Sequence, residues 1–116
     1  MRPNLYRIAV LLAAILVAQS PAQAAAGEDP PSFEVRARRG RLTPERLEVP
    51  ANRKLKLVLR NEGPGPLEFE NLDLRVEKVL APQSVSFVIV PPLKPGRYPF
   101  IDEFHPKAGT LWIIAR

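Results

Sequence analysis

The residues best suited to chemistry lie in one segment, R-Y-P-F-I-D-E-F-H-P-K-A-G-T over Arg97–Thr110, which contains the only histidine of the chain. That histidine, His105, follows Asp102 by three residues. A carboxylate oxygen and an imidazole nitrogen can bind one metal ion if the chain turns between them. Pro106 and Gly109 then predict a turn before a second apolar run, Leu111–Ala115. The segment therefore predicts a metal site with Asp102 and His105 as ligands.

The composition limits the kind of metal site that this segment can form. The chain has no cysteine, so no thiolate is available, and one histidine cannot complete a zinc or blue-copper ligand set. Carboxylates must supply the other ligands, and Glu68 or Glu70 from another strand end is predicted as the third. Glu77 and Glu103 are weaker candidates, the latter because it alternates to the other side of the strand from Asp102. Such a set suits iron(II), manganese(II) or copper(II).

An interpretation without a metal is also open from the residues alone. In it, the acids are solvated surface groups and His105 caps a turn. A serine hydrolase is not predicted, because the chain has no G-x-S-x-G motif and one histidine would have to act as every base. No catalytic residue and no binding residue for an organic cofactor is predicted.

Short runs of alternating apolar and polar residues predict that strands position these side chains. The clearest run is L-K-L-V-L-R at Leu55–Arg60, and L-E-F-E at Leu67–Glu70 puts both of its carboxylates on one side. Residues 42–49 read as one irregular strand interrupted at Pro44. About seven strands, with no helical period beyond the N-terminus and 14 prolines in the chain, predict an all-β sandwich or small barrel.

The N-terminus has the pattern of a secretory signal peptide. Arg2 and Arg7 precede an apolar run over residues 8–18, and a small-x-small site, A-Q-A, follows at 22–24. The run is shorter than the roughly twenty apolar residues that span a bilayer, so stable membrane insertion is not predicted. We predict a signal peptide over residues 1–24, a flexible lead over 25–32 and one domain over 33–116.

The charge of the chain is moderately basic, with 17 Lys and Arg against 12 Asp and Glu. Two of the arginines belong to the predicted leader, and the other cations are spread along the chain without interleaved aromatic residues. Nucleic-acid binding is therefore not predicted. Because the chain has no cysteine, the domain must be held together by packing without disulfides.

Three stretches of the chain together resemble a cupredoxin-like domain. They are N-E-G-P-G-P-L-E-F-E-N-L-D-L-R-V-E-K-V-L-A-P, P-P-L-K-P-G-R-Y-P-F-I-D-E-F-H-P and G-T-L-W-I, and they cover nearly all of the predicted domain. The segments L-E-F-E and Y-P-F-I-D-E-F-H resemble, more narrowly, the small periplasmic cupredoxin-like proteins of bacterial iron uptake. These include the cupredoxin-like domain of EfeO and the FtrB-type component. The resemblance implies a cupredoxin-like Greek-key β-sandwich.

The resemblance also implies where a blue-copper site would lie. Blue-copper members of the family bind copper through two histidines, a cysteine and usually a methionine. Leu67 stands at the first histidine position, Asp102 at the cysteine position and His105 at the second histidine, while residues 108–110 cover the methionine position. A blue-copper site is not expected, since its copper–thiolate bond cannot form. The resemblance still implies a metal site at Asp102 and His105, with Glu68 beside the lost histidine.

The function implied by the resemblance is a periplasmic role in iron uptake. The domain would bind iron or copper, and assist the oxidation of iron(II), for an iron permease and other periplasmic uptake components, rather than act as a free-standing enzyme. A different function also stays open from the sequence, namely a metal-free β-sandwich interaction module of the periplasm.

The predicted leader can be tested on the exported protein. Mass spectrometry of the protein isolated after export should give a mass that lacks residues 1–24, because cleavage is expected after Ala24. A mass that still includes the apolar run over residues 8–18 would contradict cleavage and indicate a retained anchor.

Overall fold

A computed structural model of the chain describes residues 29–116, which form nine β-strands and one 3₁₀ helix. The predicted leader, and residues 25–28 of the predicted lead, lie outside the described part. The strands are β1 (Ser32–Arg38), β2 (Arg41–Thr43), β3 (Arg46–Val49), β4 (Leu55–Asn61), β5 (Leu67–Asn71), β6 (Val76–Leu80), β7 (Ser84–Val90), β8 (Gly96–Asp102) and β9 (Leu111–Ala115), and the 3₁₀ helix is Leu72–Leu74. Over residues 29–116, no helix has the length and apolarity needed to cross a bilayer.

The strands form two sheets, which confirms the predicted all-β sandwich. One sheet has the order β2-β1-β4-β7 and the other has the order β3-β9-β8-β5-β6. The pairs β1–β4 and β3–β9 are parallel, and the remaining pairs are antiparallel. The edges are therefore β2 and β7 in the first sheet and β3 and β6 in the second.

The described residues contain nine strands, more than the roughly seven expected, and one of the additional strands arises because the predicted irregular strand over residues 42–49 is two strands. β2 pairs with β1 in one sheet, whereas β3 pairs with β9 in the other. Pro44 lies between them and has no N–H to donate to a ladder. The chain therefore leaves the first sheet at this proline and continues in the second.

The core lies between the two sheets and is built from the inward residues of the alternating runs. Leu55, Leu57 and Leu59 of β4 are fully buried, as their alternation predicts. Phe69 of β5 and Phe100 of β8 are also fully buried, and their rings stack with centroids 5.1 Å apart. This aromatic pair joins the two strands that carry three of the six predicted ligands, Glu68, Glu70 and Asp102.

The aromatic pair gives a test of the core. Phe100→Ala should lower the free energy of unfolding by about 3–5 kcal/mol, because it empties the space of a fully buried ring. Phe104 is a matched control, since its side chain is 47% exposed, and Phe104→Ala should change that free energy by less than about 0.5 kcal/mol. Urea denaturation followed by Trp112 fluorescence measures both. Equal losses would contradict this description of the core.

Candidate metal centre

The structure separates the six predicted ligands into two groups on opposite faces of the five-stranded sheet. Asp102, at the end of β8, pairs with Phe69 of β5 and is buried on the inner face. Because side chains alternate along a strand, Glu68 and Glu70 point to the outer face. The inner group is Asp102 and His105, and the outer group, which we call the acidic cluster, is Glu68, Glu70, Glu77 and Glu103.

Hydrogen bonds engage both oxygens of the Asp102 carboxylate, whose side chain is only 2% exposed. Oδ1 accepts from the backbone N–H groups of Glu68 and Phe104, both at 3.0 Å. Oδ2 lies 3.0 Å from Nδ1 of His105. A buried carboxylate needs such partners, so Asp102 holds β5, the end of β8 and the following loop together. Glu68 contributes its backbone N–H to this arrangement, and its carboxylate belongs to the acidic cluster.

The imidazole of His105 is held in one orientation by Asp102. Since Nδ1 faces the carboxylate, Nε2 is the ring nitrogen left to bind a ligand, and the side chain is 46% exposed. Gly40 lies against this ring. A Cβ added to Gly40 would lie 2.3 Å from the Cβ of His105, and its φ of +87° also favours glycine.

A cleft of about 370 Å³ opens beside this pair and is lined by both side chains. Its other polar lining residues are Arg39 and Asn61, neither of which adds a carboxylate or an imidazole. Asp102 and His105 are therefore in contact, as their spacing suggested, but the described residues bring no third ligand of these types to them.

The acidic cluster is assembled by the register of three strands. Glu70 of β5 lies directly opposite Glu77 of β6, and Glu68 lies two residues earlier on the same face. One carboxylate oxygen from each of these residues lies within 4.8 Å of the others. Glu103 follows β8, where its N–H donates to the Glu68 carbonyl at 2.8 Å, and its carboxylate acts on that of Glu70 by raising the pKa of Glu70.

The electrostatics of the acidic cluster favour a bound cation. Glu70 is 5% exposed, and burial raises its pKa to about 7, with further contributions from Glu103, Glu68 and Glu77. Among the described residues, no Lys, Arg or His nitrogen lies within 4.0 Å of a carboxylate oxygen of the four. Like-charged carboxylates at this separation repel each other unless protons or cations neutralise them. An all-oxygen set of this kind fits a hard metal ion.

Sequence reasoning found the members of the acidic cluster but not their arrangement. It ranked Glu70, Glu77 and Glu103 below Asp102 and His105, because alternation within one strand does not tell which strand is the neighbour. Once β5 and β6 are paired in this register, L-E-F-E and V-E-K-V place their acids together.

Asn61 was not singled out from the sequence, although it shapes the cleft beside His105. It is 4% exposed, and its amide donates to the carbonyls of Gly65 and Ala81 at 2.9 and 3.0 Å. Its Oδ1 accepts from the N–H of Gly63 at 3.1 Å. The signal in the sequence was the asparagine at the start of N-E-G-P-G-P, where a side-chain amide can order a turn.

Comparison with known sequences gives one family and one relative. The sequence model of the family described as "Cupredoxin-like domain" matches residues 8–113. The uncharacterized protein RP394 of Rickettsia prowazekii (strain Madrid E) is 35% identical over 74 residues, which are 64% of this chain and 59% of that protein. The chain thus spans less than two thirds of the length of this relative.

Comparison with solved structures gives several of the same fold. A copper binding protein in the apo form has a TM-score of 0.63 at 18% identity, covering 73% of this chain and 86% of that one. Auracyanin B has a TM-score of 0.59 at 18% identity, covering 78% and 92%. The metal binding domain of the Cu(I)-exporting ATPase CopA of Streptococcus pneumoniae D39, with Cu(I), has a TM-score of 0.58 at 11% identity, covering 73% and 84%. At these identities the likeness shows the fold alone.

The buried carboxyl of Glu70 gives a pH-dependent stability without metal. Its pKa is about 7 in the folded protein against an ordinary 4.5. The protonated Glu70 therefore contributes fully to the free energy of unfolding below pH 4.5, and this contribution is lost as the pH rises through 7. Glu70→Gln stays neutral at every pH and should therefore remove this decline, giving a higher Tm than the parent at about pH 8.

Thermal unfolding with a chelator, from about pH 4.5 to about pH 8, measures this effect. Glu45→Gln, which replaces an exposed acid outside the acidic cluster, is the control and should keep the parental profile. Identical pH profiles for the parent and Glu70→Gln would show that another group causes the dependence.

Proposed function

Because the chain belongs to the cupredoxin-like domain family, we propose that it is a metal-binding component of bacterial iron uptake that holds iron at the acidic cluster. In this proposal it acts in the periplasm, together with an iron permease, and resembles the cupredoxin-like domain of EfeO and the FtrB-type component. The single observation that carries the proposal is the packing of Glu68, Glu70 and Glu77 within 4.8 Å, with Glu70 almost fully buried.

The donor chemistry supports iron as the cargo. Two of the similar solved structures are described as binding copper or holding Cu(I), an ion that prefers soft sulfur ligands. This chain has no cysteine, and its single methionine is Met1. The acidic cluster offers only carboxylate oxygens, which suit a hard ion better than Cu(I). Among the ions that carboxylates bind, iron is selected by the resemblance to components of iron uptake.

The exposure of the acidic cluster supports a cargo that is released rather than permanently held. Glu77 lies on β6, an edge strand, and is exposed, as is Glu103 beyond the end of β8. Only Glu70 is buried, so the cluster opens to solvent on one side. An ion bound there is accessible to a permease without unfolding of the sandwich.

Metal titration of the purified protein tests the proposal. Anaerobic iron(II) should raise the Tm, because a ligand that binds only the folded state stabilises it by about 2.7 kcal/mol at a hundredfold excess over its Kd. Glu77→Gln and Glu68→Gln should each reduce this shift strongly, since each removes one charged ligand. Glu45→Gln, which replaces an exposed acid outside the acidic cluster, is the matched control and should keep the full shift.

His105→Ala distinguishes the two groups of predicted ligands. If iron binds at the acidic cluster, His105→Ala should keep the shift, because its imidazole lies with Asp102 on the other face of the sheet. Loss of the shift in His105→Ala, with the shift kept in Glu77→Gln, would place the metal at Asp102 and His105 instead. No shift with iron(II), manganese(II) or copper(II) would favour the metal-free interaction module.

A further inference from the structure

The outer face of β7 carries a row of exposed apolar side chains. Val85, Phe87 and Ile89 are 55%, 49% and 42% exposed. β7 is an edge strand of seven residues, S-V-S-F-V-I-V, without a charged residue or a proline. Proteins usually protect such an edge by charges, by proline or by short length. Its apolar row therefore indicates a surface that contacts something other than water.

Unpaired cations lie beside the end of this row. Lys56 pairs with Ile89 across the sheet, and its Nζ lies 4.6 Å above the centre of the Phe87 ring. Two loops lie at this end of the sheet, residues 50–54 before β4 and residues 91–95 after β7. A hydrogen bond of 2.7 Å from the Asn52 N–H to the Leu93 carbonyl joins them. These loops add three exposed cations, Arg53, Lys54 and Lys94. Over residues 29–116, none of the four has a carboxylate oxygen within 4.0 Å.

The start of the described chain lies on the same surface. Asp29, Pro30 and Ser32 line a recess together with Lys56, Phe87 and Ile89. The N–H of Lys56 donates to the Pro31 carbonyl at 2.9 Å. We call this surface the N-terminal face; its residues are Asp29–Ser32, Arg53, Lys54, Lys56, Phe87, Ile89 and Lys94. Asp29 is the acid of this face, and Glu34 farther along β1 is already paired with Arg36 and Arg60.

An apolar run lies upstream of this face in the sequence. Residues 19–28 connect the apolar run over residues 8–18 to Asp29, and ten residues reach at most about 35 Å. During export, while the predicted leader is still attached and its apolar run contacts the bilayer, the N-terminal face therefore lies within this distance of the lipid surface. The short segment between the apolar run and the N-terminal face, and the positive charge of that face, both favour a lipid bilayer as the surface that the face contacts.

We propose that the N-terminal face docks on the surface of an anionic lipid bilayer. Phe87 and Ile89 enter the headgroup region, while Arg53, Lys54, Lys56 and Lys94 lie against lipid phosphates. Exposed apolar side chains surrounded by cations are the combination that binds such surfaces, and each Lys or Arg near them contributes to the attraction. The acidic cluster lies on the outer face of the other sheet, so docking leaves it accessible. This proposal does not depend on the function proposed above.

Single-cysteine labelling tests the orientation, because the chain has no cysteine of its own. Phe87→Cys and Phe104→Cys, labelled with an environment-sensitive dye, report on two aromatic positions of similar exposure, 49% and 47%. Phe104 follows β8 at the opposite end of the sandwich. With the exported protein, which is expected to lack residues 1–24, and vesicles of phosphatidylglycerol and phosphatidylcholine, the label at position 87 should enter an apolar environment and be protected from an aqueous quencher. The label at position 104 should not change.

Charge reversal tests the electrostatic contribution. The double variant Lys54→Glu with Lys94→Glu should lower the vesicle-bound fraction of the protein, measured by the dye at position 87, by more than about tenfold at equal lipid concentration. Arg41→Glu with Lys107→Glu, which reverses two exposed cations at the opposite end, is the matched control and should change it little. Vesicles of phosphatidylcholine alone should bind more weakly than the anionic ones.

Three results would overturn the proposal. Equal changes at positions 87 and 104 would show that the domain has no preferred face toward the bilayer. Insensitivity to Lys54→Glu with Lys94→Glu would remove the role of the cations. Protection of label 87 without vesicles, increasing with protein concentration, would assign the apolar row to a second copy of the chain paired along β7.

Discussion

The hydrogen bonds from the backbone N–H groups of Glu68 and Phe104 to the buried Asp102 carboxylate hold β8 against β5 at the end of the sandwich. A carboxylate that is 2% exposed is stable there only because its oxygens have donors. These bonds set which residues of β5 and β8 face inward. With Asp102 and Phe69 inside, Glu68 and Glu70 must lie outside. Both candidate groups of ligands depend on this arrangement.

The same bonds give Asp102 a structural role in the folded domain. The family resemblance places Asp102 at the ligand position. In the structure, its oxygens are used to order the backbone and to orient the imidazole of His105. The imidazole is 46% exposed, and over residues 29–116 it belongs to no group of three possible ligands. The group of three carboxylates lies on the other face of the sheet, where we propose that iron binds.

The charges of the chain are unevenly distributed over the sandwich. Lys and Arg exceed Asp and Glu by 17 to 12, yet four acids meet in the acidic cluster. The N-terminal face has the opposite character, with cations that lack acidic partners beside an apolar row. This separation of charge is compatible with both proposals, a cation bound on one sheet and an anionic surface contacted beside the other. Neither surface interrupts the core between Phe69, Phe100 and the leucines of β4.

The sequence by itself determined the fold class and the composition of any metal site. Alternation of apolar and polar residues depends only on neighbouring residues, so it identified the buried leucines of β4 and the outward acids of β5. The absence of cysteine excluded thiolate ligands without any structure. The contact between Asp102 and His105 was also predictable, because three residues and a turn bring them together.

Tertiary structure decided which distant residues meet. The division of residues 42–49 between two sheets, the pairing of Glu77 with Glu70 and the position of Glu103 beside Glu70 all depend on strand order and register. Register is set by hydrogen bonds and packing between strands that lie far apart in the chain, and these leave no local pattern in the sequence. For the same reason, the raised pKa of Glu70 and the meeting of Asp29 with Phe87 appear only in the folded protein.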